Sequence, residues 1–258
     1  KATKGRNGRV LVIGGSKNYV GAPALAALAA LRTGVDIVTV CAPEKVAWAI
    51  NTYSPDMITK KFVGDELNLS HVRDIITIAQ QNDVILIGPG LGEKKDFVLK
   101  ILRDLDKPFV IDADAIKVLT FDVLQNSIVT PHKKEFEIIY NNSIKKPIYE
   151  DGDIKTNIKN VQNVLNNTIV LLKGREDYIF SKNKLQTSKT GNNSMTVGGT
   201  GDILAGLCAG YLAQSKNAFE SAKNAAYING KCGEYMYKQR GYGYTAYDMV
   251  NELWRFTK

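Results

Sequence analysis

The chain has 258 residues, of which 44% are hydrophobic and 23% charged, a composition typical of a globular protein with a substantial core. No apolar run approaches the roughly 18 residues that a membrane-spanning helix needs, so no membrane partner is predicted. The net charge of +8 fits a basic surface or the attraction of a polyanionic small molecule, whereas nucleic acid is disfavoured because the basic residues are scattered.

Short β-branched runs alternate with longer helical patterns along the chain. Strands are predicted at residues 9–13, 36–40, 84–87, 109–111, 126–130 and 168–172, with 178–180 as one half of a hairpin. Helices are predicted at residues 22–33, 46–50, 71–80, 96–104, 155–165, 201–213, 218–237 and 245–256. Residues 141–153 form the most polar stretch and are predicted to be a surface loop.

Continuous apolar strands that alternate with helices are typical of βαβ units in a parallel sheet buried on both faces. The sequence therefore predicts one α/β domain over residues 1–258. We expect a three-layer sandwich, in which a mostly parallel sheet of about eight strands carries helices on both faces and a small β-hairpin near Tyr178.

Glycine-rich or polar segments follow the ends of five predicted strands. These segments are residues 14–23, 88–92, 112–114, 130–132 and 173–177. In open α/β sheets, ligands bind outside the carboxyl ends of the strands. Because parallel strands end at the same edge of a sheet, we expect these segments to surround one pocket.

The segment Gly198-Gly199-Thr200-Gly201-Asp202 leads directly into an apolar helix rich in small residues. Glycines let several backbone N–H groups converge on one point, and a helix N-terminus favours an anion at that point. A transferring phosphate is such an anion, and Asp202 beside it is predicted to take the proton of an attacking hydroxyl. The structural alternative is that Asp202 only caps the helix.

Three acidic residues near the strand ends are candidate metal ligands. Asp112 and Asp114 are two residues apart, so on an extended segment their side chains would point the same way and could bind Mg²⁺ through waters. The alternative is that one caps a helix and the other is a solvated acid. Glu135 is either an outer-sphere Mg²⁺ partner or an acid in the first turn of a helix.

Basic residues and histidines add further candidates. Lys173-Gly174-Arg175 is either a charged turn or a phosphate contact made by two cations and backbone N–H groups. His132 follows a strand and is either structural or functional, and His71 is predicted to face solvent.

Several well-known site motifs are absent from the sequence. Neither GxGxxG with a following acid nor GxxxxGK[ST] nor HExxH occurs, which excludes a Rossmann dinucleotide fingerprint, a P-loop and a zincin site. The three cysteines, Cys41, Cys208 and Cys232, lie far apart, which argues against disulfides and zinc and favours a reducing cytoplasm.

Six segments, taken in chain order, resemble the ADP/ATP-dependent NAD(P)H-hydrate dehydratase family of the ribokinase-like superfamily. They are GGSxxYxGAP, GPGLG, DADA, TPHxxEF, LLKGRED and GGTGDILAG. The resemblance implies a ribokinase-like fold and a repair activity. A nucleotide phosphorylates the hydroxyl of NADH-hydrate or NADPH-hydrate, and phosphate then leaves to restore the double bond.

The resemblance also implies roles for individual residues. Asp202 would be the catalytic base, and it would contact the S epimer of the hydrate together with Ala22, Gly90, Gly92 and His132. ADP, which we favour, or ATP would bind with Mg²⁺. The residues implied in nucleotide binding are Lys173, Gly174, Arg175, Glu176, Asp177, Gly198, Gly199, Thr200 and Gly201.

Partners and alternatives complete the expectations. The resemblance implies an upstream epimerase domain or protein, and it implies a homo-oligomer such as a tetramer. Because the sequence starts at Lys1 instead of Met, we expect that a segment was removed. Two other functions stay open: a ribokinase-like kinase for a thiazole or hydroxymethylpyrimidine alcohol, and a nucleotide-binding module without catalysis.

Overall fold

A single nine-stranded sheet organises the protein, whose computed structural model describes residues 6–146, 148 and 153–257. The strand order is β3-β2-β1-β4-β5-β6-β7-β8-β9. The strands are β1 (Arg9–Ile13), β2 (Ile37–Pro43), β3 (Ile58–Phe62), β4 (Val84–Ile87), β5 (Phe109–Ile111), β6 (Ser127–Val129), β7 (Thr168–Leu172), β8 (Asp177–Ser181) and β9 (Lys184–Ser188). All pairs from β3 to β7 are parallel, and β8 and β9 form the antiparallel hairpin. The predicted fold class is confirmed, with nine strands where about eight were expected.

Helices cover both faces of the sheet. They are α1 (Gly21–Arg32), α2 (Glu44–Asn51), α3 (Val72–Ala79), α4 (Lys95–Asp104), α5 (Asp114–Lys117), α6 (Lys133–Ser143), α7 (Ile154–Gln162), α8 (Thr200–Ser215), α9 (Ala218–Arg240) and α10 (Ala246–Glu252). One face packs against α1, α2, α8, α9 and α10, and the other packs against α3 to α7. The arrangement is the predicted three-layer sandwich.

Alternate residues of each central strand enter different cores. In β1, Val10 and Val12 face the α1/α8 side, whereas Leu11 and Ile13 face the α3/α4 side. All four side chains are fully buried. Each such burial stabilises the fold by about 1.5–3 kcal/mol, which explains why the strand is apolar at every position.

Small residues let α1 and α8 approach closely. A Cβ added at Gly206 would lie 2.1 Å from the carbonyl oxygen of Ala26, and one added at Gly210 would lie 2.2 Å from the hydroxyl of Thr33. Neither position can hold a larger residue unless the helices separate. Because α8 begins at the GGTGD segment, this contact also positions that segment.

The sequence patterns missed three elements, namely β3, the short helix α5 and α6, and misplaced some boundaries. The edge strand β3 was not predicted because only Thr59 and Phe62 in it are buried. Helix α6 was not predicted because its first turn is charged, and it includes residues 141–143 of the expected surface loop. Residues 147 and 149–152 of that loop lie outside the described residues. The last helix ends at Glu252 and is followed by a short 3₁₀ turn.

The chain reverses direction across the sheet at β1. It first adds β2 and β3 on one side and then returns to add β4 to β9 on the other. Such a switch point leaves a crevice at the carboxyl ends of the adjacent strands. We call this side of the sheet the carboxyl edge and the opposite side the amino edge. No helix in the described part of the chain has the length and apolarity to cross a membrane.

Candidate active site

The loops after β1 and β4 meet at the switch point. The amide of Gly15 donates a hydrogen bond to the carbonyl of Pro89 at 2.9 Å. Gly90 has a φ of +64°, and a Cβ there would lie 2.7 Å from the Cβ of Tyr19 and 3.5 Å from that of Ala22. The structure therefore brings together Ala22 and Gly90, two of the predicted substrate contacts.

Gly92 and Asp114 join this crevice to the end of β5. The amide of Gly92 donates to a carboxylate oxygen of Asp114 at 2.9 Å, and the ammonium of Lys117 donates to the other oxygen at 2.7 Å. Asp114 begins α5, and the preceding Ala113 has a φ of +51°. The extended segment on which Asp112 and Asp114 were expected to point the same way is absent, because the backbone turns at Ala113.

Asp112 is almost fully buried and has two donors. The hydroxyl of Thr130 donates to its Oδ1 at 2.7 Å, and the ammonium of Lys173 donates to the same oxygen at 2.9 Å. The Lys173 ammonium also lies 3.9 Å from Glu135. Burial lowers the pKa of Lys173, but the nearby carboxylates, Asp112 foremost, outweigh it, so its pKa is raised and the ammonium stays charged.

His132 and Glu135 cap the start of α6. The His132 amide donates to the Glu135 carboxylate at 2.9 Å, and the Glu135 amide donates to Nδ1 of His132 at 3.2 Å. The His132 side chain is 52% exposed, whereas that of Glu135 is 6% exposed. Both have a structural role here, and the outer part of the His132 ring remains accessible to a ligand.

The GGTGD segment turns into α8 at Gly199, which has a φ of +100° and precedes the first helical residue. Asp202 is therefore the third residue of the helix, and the alternative that it is the N-cap is wrong. The hydroxyl of Thr200 donates to the carbonyl of Met195 at 2.9 Å, which fixes the turn. A Cβ at Gly201 would lie 3.4 Å from the Lys173 ammonium, so that cation stands beside the first turn of α8.

Asp202 lies close to more negative than positive charge. Burial raises its pKa to about 7, with Asp112, Glu135 and Asp114 acting in the same direction and Lys173 opposing them. We call Asp112, Glu135, Lys173 and Asp202 the charge cluster. Burial, together with these neighbouring carboxylates, makes Asp202 a proton acceptor poised near neutral pH, as general-base chemistry requires.

The turn between β7 and β8 forms a second part of the site. The amide of Gly174 donates to Asp177 at 3.0 Å, which closes the turn. Burial raises the pKa of Asp177 to about 6, although the Gly174 amide and Lys173 oppose the shift. Arg175 at the tip of the turn is exposed. Glu176 pairs with Lys189 at 3.1 Å.

A cavity of about 1150 Å³ opens beside this turn. The predicted nucleotide residues that line it are Lys173, Gly174, Arg175, Glu176, Asp177, Thr200 and Gly201. Gly198 and Gly199 are not in its wall. The sequence analysis missed several lining residues, among them Asn192, Met195, Asn229, Tyr237 and Tyr242. Closely spaced Gly230 and Gly233 in α9 were a usable signal, because they indicate that another segment packs tightly there.

The structure gives less support to the predicted metal ligands and to the predicted exposure of His71. No three Asp, Glu, His or Cys side chains come together as a metal site within the described ranges, so Asp112, Asp114 and Glu135 do not form a protein-only ligand set. A water-mediated role for them stays a prediction. His71 does not simply face solvent, because its ring packs against Phe62 at 5.2 Å and its Nδ1 accepts the amide of Asn68.

The family model described as NAD(P)H-hydrate dehydratase matches residues 10–255. The chain belongs to the NAD(P)H-hydrate dehydratase family. It is 43% identical, over 97% of its length, to the bifunctional NAD(P)H-hydrate repair enzyme Nnr of Methanothermobacter thermautotrophicus. It covers 50% of that protein and spans about half the length of the other bifunctional relatives.

Further comparisons agree with the family and the fold. The chain is 36% identical to the ADP-dependent (S)-NAD(P)H-hydrate dehydratase of Cenarchaeum symbiosum, with 97% of this chain and 88% of that protein covered. A ribokinase-like protein of Enterococcus faecalis superposes with a TM-score of 0.86 at 25% identity, covering 100% of this chain and 89% of that chain. The Bacillus subtilis dehydratase co-crystallised with ATP/Mg²⁺ superposes with a TM-score of 0.78 at 24% identity, covering 100% and 92%, which shows the shared fold.

Proposed function

We propose that the chain is a nucleotide-dependent NAD(P)H-hydrate dehydratase that converts the S epimers of NADH-hydrate and NADPH-hydrate back to NADH and NADPH. The observation that carries the proposal is the position of Asp202. Asp202 stands in the first turn of α8, where the neighbouring Gly201 approaches the Lys173 ammonium, and Thr200 and Gly201 of the same turn line a cavity large enough for a nucleotide. Membership of the family and the similarity to the Cenarchaeum symbiosum enzyme support the same reaction.

The cavity fits a nucleoside diphosphate or triphosphate. The first turn of α8 and the Lys173 ammonium face one region of it, and both favour phosphate oxygens. The nucleotide would supply the phosphoryl group. We propose that residues 173–177 and 198–201 hold the nucleotide. Gly198 and Gly199 would act through the shape of the turn. ADP is our preferred donor, giving AMP.

Asp202 would act on the hydroxyl of the hydrate. As that oxygen attacks phosphorus, its proton passes to the Asp202 carboxylate, and the bond to the departing nucleotide breaks. Phosphate then leaves the ring carbon while a proton is lost from the neighbouring carbon, and the double bond forms again. Lys173 would offset the negative charge that develops beside the first turn of α8.

Mg²⁺ fits the site only in part. Asp112 and Glu135 are carboxylates, but Lys173 already contacts both. Phosphate oxygens and waters would therefore supply most of the ligands, as is common for Mg²⁺. Within that limit we propose Asp112, Asp114 and Glu135 as water-mediated partners of the ion.

The substrate would occupy the crevice at the switch point. We propose Ala22, Gly90 and Gly92 as its backbone contacts and the exposed ring of His132 as a side-chain contact. Gly90 supports this assignment, because its positive φ and its close approach to Tyr19 leave backbone as the only surface available there.

We further propose a one-domain unit over residues 1–258, a homo-oligomer, a cytoplasmic location and an epimerase as partner.

The test is recovery of reduced-nicotinamide absorbance from purified hydrates, with ADP and with ATP in parallel and Mg²⁺ present. We expect absorbance to return with release of inorganic phosphate. A stable phosphorylated alcohol, with no recovery, would instead support a small-molecule kinase. Tight nucleotide binding without turnover of any substrate would support a non-catalytic module. Folded protein that recovers no absorbance with either nucleotide would contradict the proposal.

A further inference from the structure

A chain of hydrogen bonds joins three side chains at the ends of neighbouring strands. The strands β5, β6 and β7 each point a residue into the core on the α8 side, namely Val110, Ile128 and Leu171. Side chains alternate between the two faces of a sheet, so the residues two positions later, Asp112, Thr130 and Lys173, lie on the same side. The sheet therefore brings a carboxylate, a hydroxyl and an ammonium together at the carboxyl edge.

Thr130 has a buried hydroxyl whose one proton goes to Asp112. The residue has no exposed surface. Its hydroxyl lies 2.7 Å from Oδ1 of Asp112 and 3.4 Å from the carbonyl oxygen of Ile111. A hydroxyl has a single proton to donate, so the shorter bond to the carboxylate takes it. Because Lys173 donates to the same Oδ1 at 2.9 Å, the Asp112 carboxylate is oriented by Thr130 as well as by Lys173.

The Lys173 ammonium depends on this carboxylate for its position. The Lys173 amide donates to the carbonyl of Pro131 at 2.8 Å, which fixes the backbone, but the side chain is long and flexible. Two carboxylates compete for its ammonium, Asp112 at 2.9 Å and Glu135 at 3.9 Å. With Asp112 held by the neighbouring hydroxyl, the ammonium stays 3.4 Å from the place that a Cβ would take on Gly201. Without that hydroxyl, Asp112 loses one of the donors that orient it, and the ammonium is freer to shift towards Glu135.

We propose that Thr130 is a positioning residue for the reaction: its hydroxyl orients Asp112, and Asp112 holds the Lys173 ammonium beside the first turn of α8, where the phosphates of the nucleotide would bind. This inference rests on the proposed function, because it needs a nucleotide in the cavity that Lys173, Thr200 and Gly201 line. Thr130 is fully buried and acts only through the two charged residues. An ammonium held in place binds phosphate better than a mobile one, because less side-chain freedom is lost on binding.

Ligands with and without phosphates test the assignment. Dissociation constants for ADP, by calorimetry, and for adenosine, by ligand-observed NMR, are measured with the wild type, Thr130→Val and Thr130→Ser. Valine keeps the shape of threonine without its hydroxyl, so Thr130→Val is expected to bind ADP about 3- to 30-fold more weakly and adenosine with unchanged affinity. Serine keeps the hydroxyl, so Thr130→Ser is expected to regain most of the affinity for ADP. If Thr130→Val does not fold, Thr130→Ala takes its place in the comparison.

The control is Thr168→Val, which removes a similarly buried hydroxyl at the amino edge, where Thr168 and Ser127 share a hydrogen bond at 3.2 Å. This variant is expected to keep the wild-type affinity for both ligands. Equal weakening of ADP and adenosine binding in Thr130→Val would leave Thr130 a structural role only and overturn the inference. ADP affinity that Thr130→Val leaves unchanged, or that Thr130→Ser lowers as much as Thr130→Val does, would overturn it too. Folded wild type that binds no nucleotide would contradict the proposed function itself.

Discussion

Cavities lie at both edges of the nine-stranded sheet, of about 1150 Å³ at the carboxyl edge and about 960 Å³ at the amino edge. At the amino edge, charged groups are satisfied by neutral backbone: Asp83 accepts the amide of Arg9 at 2.8 Å, and the Lys107 ammonium donates to the carbonyl of Asn82 at 2.9 Å. At the carboxyl edge, the Lys173 ammonium lies 2.9 Å from Asp112 and 3.9 Å from Glu135, and the carboxylates near Asp202 outweigh this cation. The two cavities are therefore similar in volume and differ in charge, because only the one at the carboxyl edge has unbalanced buried charge beside it.

The largest expected effect is on turnover by Asp202→Asn. The amide keeps the shape of the side chain but cannot accept the hydroxyl proton, so turnover should fall about 100- to 10,000-fold while nucleotide affinity is kept. Steady-state kinetics and calorimetry measure the two quantities. Asp83→Asn at the amino edge is the matched control and should retain turnover. Equal turnover in wild type and Asp202→Asn would remove Asp202 from its proposed role.

A smaller effect is expected on stability when the central cation is removed. Lys173→Met leaves Asp112 and Glu135 buried without their cation and should lower the free energy of unfolding by about 3–5 kcal/mol. Lys107→Met at the amino edge removes hydrogen bonds to neutral carbonyls only and should cost about 1 kcal/mol. Denaturant titration at neutral pH compares them. Equal losses would show that the two edges do not differ in charge balance.

The smallest expected effect depends on pH. The pKa of Asp202 is about 7 in the folded protein, above the unfolded value of about 3.9, so the folded state holds an extra proton between these values. Its contribution to stability is present below pH 4 and is lost as the pH rises through 7. Asp202→Asn should therefore match the wild type at acidic pH and exceed it by about 2–4 kcal/mol at pH 8. A difference that does not change with pH would contradict this.

The sequence predicted the meeting of the strand-end loops because that depends only on strand direction. Parallel strands must end at one edge, so the loops before Ala22, Gly90 and His132 converge whatever their side chains are. The small residues that the sequence shows in α8 likewise fit the close packing of Gly206 against Ala26.

Contacts between distant segments could not be predicted in the same way. Lys173 pairs with Asp112 across 61 residues, and Asn229 reaches Thr200 across 29. No local pattern encodes either contact, because both arise from how layers pack. The path from Asp112 to Asp114 was mispredicted for a local reason: the strand ends at Ile111 as expected, but the positive φ of Ala113 turns the backbone between the two acids.

Titration of the Asp202 carboxyl carbon by NMR, with its signal identified by its loss in Asp202→Asn, tests the charge-cluster account most directly. Burial of Asp202 and the nearby carboxylates of Asp112, Glu135 and Asp114 predict a midpoint near pH 7, with the group neutral below that pH and ready to accept a proton above it. A midpoint near 4, the ordinary value for an aspartate, would contradict the account, because burial and the charge cluster would then exert no net effect on the proposed base.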